Sequence, residues 1–310
     1  LLRNNQSKNI LSFGVILNVA ILFYFKYPRQ ICSALGNTNN EINVVMPLGI
    51  SFIIFHCISY LVDMYSEYIE NQDSTIMINQ DPHSELDQFI NASLYILFFP
   101  KLLQGPITRY KDFSQYLRDR STNLDSISMG LEKFIIGLSK KVLLADELNV
   151  ILTDIGVSLN IDTGTAWLMV LVYGLRIYFD FAGYSDMALG IAQMFGIYLP
   201  KNFDKPYLSG SITEFWNRWH ISLGNWLKHY VYFPLGGNRK GNVFLNLFVV
   251  FVISGLWHGN TKLYLYWGIA HGLMVVLERT KVYKKIDFSK IPAKIFGHFY
   301  TILIVFRSEE

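Results

Sequence analysis

Residues 243–257 read Val-Phe-Leu-Asn-Leu-Phe-Val-Val-Phe-Val-Ile-Ser-Gly-Leu-Trp, a nearly unbroken apolar stretch that ends in His258 and Gly259. Such a stretch belongs in hydrocarbon, and it carries a titratable ring to the bilayer boundary or inside it. A polar group there is costly unless it lines a cavity or takes part in chemistry. A second histidine, His220, lies upstream in Phe215-Trp216-Asn217-Arg218-Trp219-His220. Each histidine stands beside a tryptophan, and the two together are the chain's candidate active site.

Composition points the same way. Hydrophobic residues make up 51% and aromatics 15%, while the charged share of 16% falls well short of the roughly 25% of soluble domains. Mean hydropathy is +0.26. At 310 residues the chain reads as a single membrane-embedded domain, 1–310. Its net charge of +3 says little by itself, and nucleic acid is not an expected partner. Apolar segments long enough to cross a hydrocarbon core of about 30 Å, or nearly so, recur at about 10–27, 43–64, 88–105, 131–152, 165–193, 243–257, 262–278 and from 295 to the end.

The segments between them alternate in charge. Loop 65–87 has Glu67, Glu70, Asp73, Asp81, Glu85 and Asp87 with no Lys or Arg, and 153–164 has only Asp154 and Asp162. By contrast 101–141 carries Lys101, Arg109, Lys111, Arg118, Arg120, Lys133, Lys140 and Lys141, and 194–242 carries Lys201, Lys205, Arg218, Lys228, Arg239 and Lys240. Loop 279–294 repeats the basic pattern with Arg279, Lys281, Lys284, Lys285, Lys290 and Lys294. The positive-inside rule puts the basic loops in the cytoplasm. No initiator Met opens the chain, no small-residue cleavage site follows the first apolar segment, and the last segment runs into Arg307-Ser308-Glu309-Glu310 before it spans. The expectation is a fragment of a longer membrane protein without a signal peptide. Cys32 and Cys57 are too few and too far apart in expected depth to argue for a disulfide.

Segment 201–241 is polar enough to leave the bilayer and aromatic enough to lie on it. Ser211-Ile212-Thr213-Glu214 fits a capping box, so a helix is expected to begin there. Along it Trp216, His220, Leu223 and Leu227 share one stripe, and Arg218, Ser222, Asn225 and His229 another, the pattern of an interfacial or re-entrant amphipathic helix. Pro234 and Gly236-Gly237 stop it. His220, on the apolar stripe, is expected to point inward, either as a packing histidine bonded to backbone or as an active-site group. His229 reads as interfacial.

Segment 165–193 is too polar for a lipid-facing helix, because it holds Arg176, Asp180 and Asp186. Arg176 and Asp180 are four apart and can pair on one helical face. Ala182-Gly183 beside Tyr184-Ser185-Asp186 lets the helix break or pack closely on a neighbour. The residues alone leave open an internal ion pair, substrate binding, or a proton or ion pathway.

Four blocks then stand in order. They are Phe99-Pro100-Lys101-Leu102-Leu103-Gln104-Gly105-Pro106-Ile107-Thr108-Arg109-Tyr110; Asp180 to Asp186 with Lys201-Asn202-Phe203-Asp204-Lys205-Pro206-Tyr207; Phe215 to His220 with Pro234-Leu235-Gly236-Gly237-Asn238-Arg239; and Ser254-Gly255-Leu256-Trp257-His258-Gly259. Together they closely resemble the membrane-bound O-acyltransferases, in particular the bacterial branch that acetylates alginate and other exported polysaccharides, over a motif core of about 96–277. The resemblance implies an all-α integral membrane protein, a multi-span irregular ring of helices with re-entrant or interfacial pieces around a central tunnel. Acyl donor would enter from one side and acceptor from the other. Family members are longer at both ends.

The resemblance places His258 on the family's signature catalytic histidine and His220 on the second histidine of the bacterial branch. Asn217, Trp216, Trp257, Asp180 and Arg176 are the expected substrate-binding or supporting residues. Acyl transfer to a hydroxyl needs a base that titrates near neutrality, the role assigned to His258. Developing charge on the thioester carbonyl needs donors, for which His220, Asn217 or a backbone N–H are candidates. No Ser or Cys sits in a recognisable nucleophile setting, which favours direct transfer over an acyl-enzyme, although a histidine can itself carry an acyl group. No metal-ligand spacing occurs, and Gly236-Gly237-Asn238-Arg239 reads as a turn with anchoring cations.

The expected activity is O-acetyl transfer from a cytosolic thioester, acetyl-CoA or an acyl carrier protein, towards an exported cell-surface polysaccharide, with no bound cofactor. An extracytoplasmic hydrolase-like acetyltransferase is the expected partner, membrane lipid the surroundings, and the bacterial cytoplasmic (inner) membrane the location, crossed several times. D-alanyl transfer to teichoic acid and lipid O-acylation are the alternatives within the class. A transporter is the alternative outside it, but it predicts repeated halves with matching broken helices, which the sequence does not show.

Overall fold

The computed structural model describes residues 8–34, 44–73, 85–118, 120–157, 162–281, 283–285 and 291–308. Asp81 and Lys290 of the charged loops, and both chain ends, lie outside the described residues, as do the side chains of Glu70, Asp73, Arg118 and Lys284. Every regular element among the described residues is helical, and the chain forms two compact units, Leu1–Thr122 and Asn123–Glu310.

The first unit holds α1 (Lys8–Lys26), α2 (Pro28–Ala34), α3 (Ile50–Asp73), α4 (Glu85–Leu97), α5 (Tyr110–Phe113) and α6 (Gln115–Arg118). Two expected spans are corrected here. The span placed at 43–64 starts later, at Ile50, after Pro47 and a left-handed Gly49 (φ +73°), and runs on through acidic residues read as loop. The span placed at 88–105 ends at Leu97, where Pro100, Gly105 and Pro106 turn the chain. Lys101 explains the turn: it is fully buried, donates to Thr108 Oγ1 at 3.1 Å, and lies 3.8 Å from the Tyr95 ring and 4.3 Å from that of Phe113. Tyr95 donates to the Thr108 carbonyl at 2.7 Å, closing the cage. A cation desolvated this way keeps attraction from the ring faces, which a carbon chain alone would not give it.

The second unit holds α7 (Leu124–Ser139), α8 (Asp146–Gly156), α9 (Thr163–Met194), α10 (Ile212–Arg218), α11 (Ile221–Leu227), α12 (Val243–His258), α13 (Lys262–Glu278) and α14 (Ile291–Ser308). Local chemistry sets their starts. The Oδ1 atoms of Asn123, Asp162 and Asn242 accept from Ser126 N, Thr165 N and Phe244 N at 2.7, 2.7 and 2.9 Å, satisfying donors that a helix start leaves open. The span placed at 131–152 is the middle of a longer helical run in which a π turn, Lys140–Ala145, joins α7 to α8. Helix α9 does not break at Ala182-Gly183 but uses the glycine for close packing: a Cβ on Gly183 would sit 2.7 Å from the Gly137 carbonyl of α7.

Length separates the helices by what each can do alone. Helix α9, with 32 residues, is ~48 Å long, whereas the 16 residues of α12 give ~24 Å. Only α1 and α9 among the described helices are long and apolar enough to cross a bilayer by themselves, fewer than the eight segments expected; α12 and α14 are apolar but shorter. Large apolar side chains such as Phe13, Leu168, Leu245 and Phe299 point outward. An outward apolar face suits a lipid solvent.

A buried cluster of Ile212, Phe215, Trp219, Val275 and Val305 joins α10 to α13 and α14. Tyr207 stacks on Phe306 at 4.9 Å and donates to the Gly174 carbonyl of α9 at 2.7 Å. Helix α10, which carries the first histidine block, is thereby fixed on three long helices.

Candidate active site

The site starts at the N-terminus of α10. Ser211 Oγ accepts from Glu214 N at 3.0 Å, as the capping-box reading expects, but the Glu214 carboxylate reaches Gly210 N at 2.8 Å rather than Ser211 N. The two remaining donors go to a carboxylate that local sequence does not announce. Glu278, buried at the end of α13, accepts from Ile212 N and Thr213 N, each at 2.7 Å.

The single helix expected through this stretch is broken. Helix α10 stops at Arg218, and His220 adopts a left-handed backbone (φ 43°, ψ 50°) before α11 begins. Helix α11 then widens into a second π turn, Lys228–Tyr232, before Pro234 and the Gly236-Gly237 turn. A β-carbon in the left-handed region is strained by about 1–3 kcal/mol, and such strain gathers at functional sites. Asn202 holds the break. Its carbonyl accepts from Ile221 N at 2.9 Å, its Oδ1 accepts from Ser222 N at 3.3 Å, and its Nδ2 donates to Ser185 Oγ of α9 at 3.0 Å.

The break turns the His220 ring inward, as its place on the apolar stripe led one to expect. The ring is 6% exposed, and its Nε2 is buried without a hydrogen-bond partner among the described residues. Phe181 of α9 meets it edge-on at 4.7 Å. The Trp257 indole lies 6.4 Å from the same ring, and His258 lies 4.7 Å from that indole. His258 is the last residue of α12, and its side is open. Two imidazoles far apart in sequence thus both meet one indole.

Helix α13 completes the ring chain. Trp267 lies 5.0 Å from His258 and 4.9 Å from His271, and Trp216 lies 5.3 Å from Trp267. Trp216 Nε1 donates to His271 Nδ1 at 3.3 Å, so that nitrogen is unprotonated and the ring's proton sits on Nε2. The close approach of α12 and α13 that makes this possible rests on glycines. A Cβ on Gly255 would run into the Tyr264 carbonyl and lie 3.1 Å from Gly268 Cα.

Of the expected residues, His220, His258, Trp216 and Trp257 come together. The exposed Asn217 makes no hydrogen bond to these rings among the described residues. The expected pair of Arg176 with Asp180 is replaced: Asp180 pairs with Lys141 at 2.8 Å, and Asp186 with Lys140 at 2.5 Å. The reason is helical period, since the face of α9 that carries these carboxylates looks to the π turn after α7, while Phe181 and Ser185 look to His220 and Asn202. Sequence reading missed His271, Trp267, Phe181, Ser185 and Asn202. The signal for Phe181 and Ser185 was their spacing of four. Among the described residues no group of three His, Cys, Asp or Glu side chains is placed to hold a metal ion. Asn238 accepts from Tyr232 Oη at 2.7 Å and from Arg279 at 2.8 Å, so the cation that anchors the glycine turn comes from the end of α13 rather than from the turn's own Arg239.

An apolar chain, helical in every regular element among its described residues, that brings two imidazoles to one indole defines a helical membrane protein with a histidine-centred site. The model of the membrane-bound O-acyltransferase family matches residues 58–286, and the chain belongs to that family. It is 40% identical over 287 residues to the probable alginate O-acetylase AlgI of Pseudomonas putida, covering 89% of this chain and 56% of that protein. To the peptidoglycan O-acetyltransferase of Helicobacter pylori it is 37% identical over 294 residues, covering 87% and 55%. To the teichoic acid D-alanyltransferase of Bacillus subtilis it is 30% identical over 247 residues, covering 75% and 59%. The chain spans about half the length of the curated relatives it matches.

Proposed function

We propose that this chain is the motif-bearing part of a membrane O-acetyltransferase that moves an acetyl group from a cytosolic thioester towards a hydroxyl of an exported cell-surface polysaccharide. The observation that carries the reading is the convergence of His258 and His220 on Trp257, 4.7 and 6.4 Å from its indole. His258, on the open side, takes the proton as the acceptor oxygen attacks the thioester carbonyl. The new C–O bond forms, the C–S bond breaks, and the departing thiolate takes the proton back from the imidazolium, so one base serves both halves. His220 offers its buried Nε2 to the carbonyl oxygen, where a donor fixed in a dry site stabilises the growing charge.

The donor on this reading is acetyl-CoA or an acyl carrier protein. Relatives named for alginate, peptidoglycan and teichoic acid support a cell-wall or exported glycan acceptor. The higher identity to the acetylases favours acetyl over D-alanyl. A hydrolase-like acetyltransferase outside the membrane completes the transfer where the glycan is not reached directly. The helices form an irregular ring around a tunnel open to both faces of the bacterial inner membrane, crossed several times with the basic loops in the cytoplasm. The test is His258→Ala in the full-length protein, with polysaccharide acetylation assayed beside lysophospholipid acylation and teichoic acid D-alanylation. Loss of acetylation with normal membrane insertion is expected. Retained acetylation refutes the base, and activity on either other acceptor replaces the proposed substrate.

A further inference from the structure

We infer that Asn202, held by Ser185, is the positioning residue of His220: it supplies from a distant strap the N-cap that α11 lacks, and so locks the imidazole into the site. The inference rests on His220 acting in the proposed transfer. A residue that starts a helix ordinarily has an extended backbone and gives its own side-chain oxygen to the next N–H groups. His220 does neither. It is left-handed and makes no side-chain cap. The two donors that follow it, Ile221 N and Ser222 N, both end on Asn202, one on its carbonyl and one on its side chain.

The third arm of Asn202 reaches Ser185 on α9, one turn beyond Phe181, the residue that meets the His220 ring edge-on. Asn202, Ser185 and Ser222 are each 1% exposed. One amide thus ties the strap, α9 and the start of α11 into a single unit, and the imidazole is freed from capping to face Trp257. Asparagine suits the role because one side chain must accept from an N–H and donate to a hydroxyl at once. The strap is fixed again two residues on, where Asp204 N donates to the Arg218 carbonyl at 2.9 Å, just ahead of the bend.

Asn202→Ala removes both side-chain bonds but keeps the carbonyl that serves Ile221. The full-length protein in nanodiscs is treated with diethyl pyrocarbonate, and each histidine's modification rate is read by mass spectrometry with half-buried His229 as internal reference. In the unaltered protein His220 reacts more slowly than His229; in Asn202→Ala it reacts faster, while the His271 rate stays the same. With radiolabelled acetyl-CoA as donor, kcat falls on the order of 100-fold with KM unchanged, as expected when a reacting group is displaced by about an ångström. Asn202→Asp, which keeps an acceptor for Ser222 N and accepts from the Ser185 hydroxyl, recovers part of the loss.

If Asn202→Ala does not fold, Ser185→Ala breaks one arm only and is read in the same way. Unchanged His220 reactivity in the folded variant overturns the positioning role. Full acetylation by His220→Ala overturns the role of His220 itself, a separate failure that leaves the labelling result standing.

Discussion

His220 sits in a backbone conformation that a glycine would adopt freely, and the chain keeps an imidazole there at a cost to stability. Alanine in the left-handed region is less stable than glycine by roughly 1–2 kcal/mol. His220→Gly is therefore expected to melt higher than His220→Ala by that margin, with acetylation lost in both. Equal melting would mean that the bend is held by its neighbours so firmly that the residue's own preference does not matter. His271 gives a second case. Trp216→Phe removes the indole donor to a nearly fully buried ring nitrogen, and an acceptor left unmet in a core costs about 1–3 kcal/mol. A double-mutant cycle with His271→Leu is expected to return a coupling of about 0.5–3 kcal/mol, and additivity would deny the bond. At this scale the sequence announced residues whose type is costly in a membrane, hence His220 and His258. It hid residues such as Ser185 and Asn202, whose types are ordinary and whose roles depend on partners distant in the chain, while His271, an imidazole inside the expected segment 262–278, carried the same signal and was passed over. Charge made Asp180 and Arg176 conspicuous on α9, where Asp180 pairs with Lys141 while Phe181 and Ser185, on another face, meet His220 and Asn202.

Helix packing sets the distance between the imidazoles. Gly255 and Gly268 let α12 and α13 touch backbone to backbone one turn below His258, and a methyl group on either has nowhere to go. Gly255→Ala is expected to cost about 1–3 kcal/mol through overpacking. It is also expected to lower kcat on the order of 100-fold by shifting His258 against Trp257. Full activity at reduced stability would show that the ring separation is not critical. Helix α10 is governed from its far end by Glu278, and Glu278→Gln keeps one acceptor where the carboxylate gave two. Losing a hydrogen bond to a charged group costs about 1.5–3 kcal/mol, to be read from thermal unfolding in detergent. The Ser211 cap was legible because it is local. The break at His220 was not, since the stripe through Trp216, His220, Leu223 and Leu227 keeps helical spacing across it and the agent of the break, Asn202, belongs to another segment. Period and capping describe a helix from within. They do not register a tertiary hydrogen bond that ends it.

At the scale of the molecule, acyl export requires that the donor side and the acceptor side be different faces of one membrane, and α9 is the element that tests this. At ~48 Å it exceeds a hydrocarbon core of ~30 Å, so it is long enough to put its two ends in water on opposite faces. Asp162 caps its N-terminus after an acidic loop, and the basic strap with Lys201, Asp204 and Lys205 follows its C-terminus. Both carboxyls are held below the usual carboxylate range, Asp162 by backbone donors of the helix start and Asp204 by Lys201. Their contribution to stability is thus complete above the ordinary aspartate pKa and is lost only as pH falls through the lowered values, so neither loosens the ends of α9 near neutral pH. The proposed orientation follows from which end is basic. With Cys32 and Cys57 replaced by serine, Asp162→Cys is expected to react with a membrane-impermeant maleimide in intact cells, and Asp204→Cys only after permeabilisation. Reaction of both from one side would mean that α9 re-enters instead of crossing. His220, tied through Asn202 and Ser185 to that helix, would then be reached by donor and acceptor from the same face, and export through the membrane would give way to acylation of a molecule on that side.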